Sequence, residues 1–148
     1  SEGIDLDFAC LIASAGPFGI SGNFVDFTDE QLERIKAHVD FYKQWRELFK
    51  GSRLFLNREP GRLGDRSGWR AMQFKHASDD VSLLYAFRLD DIRGRMNVPL
   101  QELERDRTYE VTGGGSTRRM DGAALMDTGI AVELGERHRG AVYTITAV

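Results

Sequence analysis

Only one cysteine, Cys10, occurs in the 148 residues, so an internal disulfide framework is excluded and the redox compartment stays open. Long hydrophobic runs are missing as well. The longest, residues 8–15, falls far short of the about 20 residues that a membrane-spanning helix needs. Glu2, Asp5 and Asp7 precede that run, where a secretory signal would carry basic residues. The expectation is a soluble protein with no membrane partner, cytoplasmic in preference to secreted. Positive charge is neither in excess nor clustered. Twenty Lys and Arg stand against 23 Asp and Glu, a net charge of −3, without the basic stripe of a nucleic-acid partner. The three histidines, His38, His76 and His138, lack a second ligand at metal spacing, so no metal and no cofactor are expected. Hydrophobic residues make up 41% and charged residues 29%, a globular balance that argues against wholesale disorder.

What is present divides in two. Residues 7–16, DFACLIASAG, are apolar almost continuously. That is the character of a strand buried on both faces in a parallel sheet, with a short buried helix as the rival. Pro17, Gly19 and Gly22 then break regular structure. Thr28 is followed three positions later by Gln31, with Asp29 and Glu30 between them, which is the pattern of a capping box. Leu32, Ile35, Val39, Tyr42, Trp45 and Phe49 recur at three- and four-residue spacing, widened by Phe41 and Leu48, and Gly51 supplies the stop. The spacing predicts an amphipathic helix of roughly six turns.

Beyond Gly51 the helical period disappears. Short strands are predicted at 53–57, 69–76, 81–89, 94–98, 108–112, 130–134 and 141–148, with a turn at 113–116 and a helical turn at 121–127. In the third of these strands Val81, Leu83, Tyr85 and Phe87 share a face expected to meet the core, with Arg88 outward. The pattern predicts a mostly β chain: an antiparallel β-sandwich over 52–148, preceded by one βα unit over 1–51.

Five stretches, in this order, resemble the C-terminal end of glycoside hydrolase family 36, the retaining α-galactosidases and their relatives. They are SAGPFGISGN at 14–23, VDFYKQWR at 39–46, AMQF at 71–74 with VSLLYAFR at 81–88, the Leu-rich turn and TYEV within 98–111, and DGAALMDTGI at 121–130 with the closing strand 141–148. The chain departs at LQELE, 100–104, where the family more often shows a glycine at the position of Glu102. The resemblance implies that residues 1–51 are the last strand and helix of a (β/α)8 barrel. It also implies that the two catalytic aspartates of such an enzyme lie on earlier barrel strands. Nothing here matches either aspartate motif, so no catalytic residue is assigned. One βα unit cannot assemble a site that draws on several strand ends.

Bottom-up readings of the remaining constellations agree. Asp79 and Asp80, and likewise Asp90 and Asp91, are adjacent and sit at turns, where Asp bonds locally. The Gly113–Ser116 stretch lacks the Gly-Lys-Ser/Thr ending of a phosphate loop. Gly16, Pro17, Phe18 and Gly19 follow the apolar strand and would lie on the barrel rim, which makes them candidates for substrate contact, with Phe18 as a packing plug the plain alternative. Trp69, near Arg66 and Arg70, offers a ring to stack on a sugar, but an inward core Trp is the better expectation.

The expected function is therefore a non-catalytic part of an α-galactosidase-like hydrolase. Its partner would be the upstream barrel, and an α-galactoside or related glycan would be met only through that barrel. An autonomous carbohydrate-binding module and an oligomerisation domain are the alternatives. Apolar surface left on the βα unit would favour a homo-oligomer.

Overall fold

A computed structural model describes residues 28–56, 68–76 and 80–148. The apolar segment at 8–15 and the candidate loop Gly16–Gly19 lie outside the described residues.

The helix forms as its sequence dictates. Helix α1, Asp29–Lys50, starts at Thr28 with a complete capping box. The Gln31 amide donates to Thr28 Oγ1 at 3.2 Å, and the Thr28 amide donates to Gln31 Oε1 at 2.9 Å. Two donors that the first turn cannot satisfy internally are thereby paired. At the other end the Gly51 amide donates to the Leu48 carbonyl at 3.2 Å. Thr28→Ala is expected to cost about 1 kcal/mol, read as a lower denaturant midpoint at unchanged slope.

Eight strands follow: β1 Ser52–Leu56, β2 Trp69–His76, β3 Val81–Arg88, β4 Arg95–Val98, β5 Thr108–Gly113, β6 Ser116–Asp121, β7 Ile130–Glu133 and β8 Arg139–Ala147. A short helix α2, Gly122–Asp127, separates β6 from β7. Six strands make one sheet in the order β1-β2-β3-β8-β5-β6, and β4 pairs with β7 in a second. Every pairing is antiparallel. The mostly β, antiparallel architecture preceded by one helix is the predicted one.

The large sheet buries both of its faces. On one, Phe74, Leu83, Tyr85 and Phe87 pack against Phe41, Trp45, Leu48 and Phe49 of α1. Phe49 meets Phe74 edge-on, with ring centroids 4.9 Å apart. On the other, Trp69, Leu84, Ala86, Tyr143 and Ile145 meet Val98, Leu100, Leu125, Ile130 and Val132 from the small sheet, its approaches and α2. The helical stripe thus has a partner within the chain along its final turns.

This double burial corrects the expectation for Arg88. The side chain does not point outward; Arg88 is 7% exposed. Its Nε and one terminal nitrogen donate to the Asp91 carbonyl at 3.0 and 2.8 Å, and the other terminal nitrogen donates to the Leu134 carbonyl at 2.7 Å. A buried guanidinium needs such acceptors, and two loops supply them.

Strand β6, STRRMD, was not foreseen. Its residues are exposed apart from the half-buried Met120, so no apolar alternation marks it. Gly114 and Gly115, with φ of 63° and 80°, form the two-residue turn that folds it onto β5. The departure noted at Glu102 also finds a place. Its φ is 55°, a left-handed conformation that glycine adopts freely, and its carboxylate holds Arg53 at 2.9 Å.

Candidate functional site

The carboxylates at the turns serve as struts. Asp80 bonds Arg107 across 27 residues, while Asp79 lies outside the described residues. Asp90 accepts from His138 Nε2 at 2.8 Å. Asp91 receives the Arg93 amide at 2.8 Å and two bonds from the Arg93 guanidinium at 3.0 and 2.8 Å. Neighbours in sequence are therefore committed to different partners. Hydrogen bonds from Arg105, opposed by partial desolvation and aided by its charge, hold the Asp127 carboxyl below the usual carboxylate range. A general acid for glycoside cleavage needs the opposite displacement.

Trp69 is a core residue. It is 1% exposed, and its indole nitrogen donates to the Arg93 carbonyl at 3.1 Å. No ring face remains for a sugar, in keeping with the inward reading. His76 lies against Gly51, where an added methyl would strike its ring. Among the described residues no group of three or more His, Cys, Asp or Glu side chains is arranged to hold a metal.

Clefts formed by the described residues include two on the surface. One, about 200 Å³, runs beside Trp69 and is lined by Arg70, Met96, Asn97 and Pro99. The other, about 260 Å³, lies where the β5–β6 turn rises past the small sheet. Arg95, Ser116, Arg118, Glu133 and Tyr143 border it, over Val111 and Ala131. Gly113 and Gly114 lie flat on the Tyr143 ring, and a methyl on Gly113 would overlap it. Burial pushes the Tyr143 phenol up from its usual range; nearby Arg118 opposes that and Glu133 adds to it. The hydroxyl therefore stays neutral at physiological pH, able to donate and accept. Arg95 and Glu133 form an exposed pair at 3.5 Å.

Of the residues around the second cleft, Gly113, Gly114 and Ser116 were singled out from the sequence only as a turn, and Arg95, Arg118, Glu133 and Tyr143 were not singled out. They come from β4, β5, β6, β7 and β8, and only the glycine turn carried a local signal.

No family model matches the sequence, and no curated protein matches it either. Solved structures do. The galactosidase domain of the α-galactosidase-sucrose kinase AgaSK superposes with a TM-score of 0.79 at 23% identity, covering 94% of this chain and 19% of that one. The α-galactosidase AgaB from Geobacillus stearothermophilus, of glycoside hydrolase family 36, gives 0.77 at 22%, with coverage of 94% and 19%. An α-galactosidase from Lactobacillus brevis gives 0.79 at 17%, with coverage of 98% and 20%. The fold is that of the C-terminal domain of family 36 enzymes. The chain spans about a fifth of the length of these α-galactosidases. What the likeness carries is the fold.

Proposed function

We propose that this chain is a non-catalytic C-terminal part of an α-galactosidase-like retaining hydrolase, and that its sheets buttress the catalytic barrel. The observation behind this reading is one of coverage: nearly all of the chain superposes on about one fifth of each solved α-galactosidase. The carboxylates at its turns support it too, being engaged with Arg93, Arg107 and His138. On this reading residues 1–51 close the barrel and 52–148 form the appended domain. The rim segment Gly16–Gly19 is the part of the chain that reaches toward the α-galactoside. The carbohydrate-binding alternative called for an exposed row of aromatics. The large hydrophobics exposed among the described residues are Leu54, Leu56, Ile92 and Val148, all aliphatic.

Leu54 and Leu56 mark where the barrel would rest. They lie opposite Phe74 and Met72 on the outer strand β1, are 52% and 48% exposed, and extend the apolar face that α1 covers. Changing both to Asp is expected to cost the isolated chain about 1.5–3 kcal/mol, since each Leu is about half buried, and to leave it folded. The same double change in the longer polypeptide is expected to shorten its half-life of α-galactoside hydrolysis on heating. Equal heat inactivation of both longer proteins would remove this face from the proposed interface.

A further inference from the structure

We propose that the 260 Å³ cleft between the β5–β6 turn and the small sheet binds one neutral sugar ring through neighbouring hydroxyls. The inference rests on the chemistry of the lining and stands apart from any role beside a barrel. Glu133 can only accept hydrogen bonds, Arg95 and Arg118 can only donate, and the Ser116 and Tyr143 hydroxyls do both. An anion would meet the Arg95–Glu133 pair, which carries no net charge, and would have Arg118 as its one cation. A cation would meet Arg95 and Arg118. An apolar ligand would strip water from all of them and return nothing. A vicinal diol presents a donor and an acceptor a few ångströms apart, which is what the mixed lining calls for.

The shape agrees. Gly113 and Gly114 let the backbone lie on the Tyr143 ring, so the turn leaves the space in front of the hydroxyl open. Ala131, half-buried, gives the C–H face of a ring a small apolar floor. Drug-sized pockets begin near about 300 Å³, so this smaller cleft suits a single ring with its remainder in solvent. With Tyr143 itself 6% exposed, recognition is by hydrogen bonds without ring stacking, and the affinity belongs in the millimolar range.

The test is a titration of the isotope-labelled chain, followed by backbone amide shifts in nuclear magnetic resonance spectra. D-galactose is one probe, and sodium sulfate at matched ionic strength is the other. Galactose is expected to give saturable shifts at Gly113, Gly114, Ser116 and Arg118, whereas sulfate gives none there. Arg118→Ala and Glu133→Gln should each weaken binding on the order of tenfold, the size of one hydrogen bond to a charged group. Tyr143→Phe should weaken it about threefold. The same spectra report whether each variant is folded, and Arg118 and Glu133 are exposed enough to change without disturbing the core. The proposal is overturned if galactose shifts no amide around the cleft in a saturable way. It is equally overturned if sulfate shifts those amides instead, or if folded Arg118→Ala and Glu133→Gln bind galactose as the parent does.

Discussion

Trp69→Ala is expected to lower the unfolding free energy by about 3–5 kcal/mol, the range for removing a buried aromatic side chain. Trp69 is 1% exposed and sits in the cluster that joins the large sheet to the small one, with Leu84, Ala86, Val98 and Val132. Its loss removes packing from both layers, and the Arg93 carbonyl loses the indole donor at the same time. Because a domain of this size is stable by only about 5–15 kcal/mol, the variant would be near its folding limit. Trp69→Phe keeps most of the volume and gives up the hydrogen bond, so it should lose clearly less. Urea melts of the three proteins separate the readings. An exposed sugar platform at this position would leave the Ala variant within about 0.5 kcal/mol of the parent.

Gly129→Ala is expected to be as damaging, for a reason of backbone geometry. Gly129 follows α2 with φ of 88°, and its amide donates to the Ala124 carbonyl at 2.9 Å to end the helix. An added methyl would run into the Val98 carbonyl and the Pro99 nitrogen, both backbone atoms with no rotamer to yield. The left-handed conformation costs a residue with a side chain about 1–3 kcal/mol, and overpacking adds about 1–3 more. A loss of about 4 kcal/mol follows from these two together. Gly115 is the control. Its φ is 80°, yet nothing lies within 4 Å of an added methyl, so Gly115→Ala should show the conformational cost alone. Equal losses in the two variants, measured by thermal or urea unfolding, would mean that the packing of α2 against the β4 end is not as tight as described.

The parts of this structure that were legible beforehand are those with local causes. Thr28 and Gln31 cap α1 from three residues apart, and the helical turn at 121–127 is α2, where the structure adds that Asp121 caps it through the Ala124 amide at 2.7 Å. The strand Trp69–His76 shows its boundaries in the sequence, with Gly68 before it and the polar residues Ser78, Asp79 and Asp80 after it. Strand β3 was half legible. Leu83, Tyr85 and Phe87 meet the core as expected, with Val81 only half-buried at the strand's start, but Leu84 and Ala86 are just as buried on the other face. A central strand covered on both sides loses the alternation that would reveal its second face. Arg88 followed from that loss: its acceptors are carbonyls 3 and 46 residues away, and the second of these has no trace in local sequence. Edge strand β6 was hidden for the opposite reason, since an exposed polar ribbon needs no hydrophobic pattern. The 260 Å³ cleft draws Arg95, Arg118, Glu133 and Tyr143 from separate strands, so it exists only once the sheet order does.

The most direct measurement is hydrolysis of an aryl α-galactoside by this chain alone. A retaining enzyme places two carboxyl groups on opposite sides of the scissile bond, about 5–5.5 Å apart. Here Asp80, Asp90 and Asp91 are held by Arg107, His138 and Arg93. The predicted result is release of the aryl alcohol at the rate of buffer, for the chain and for its Asp90→Asn variant alike. Turnover above that rate, abolished by changing one carboxylate of this chain, would contradict the account.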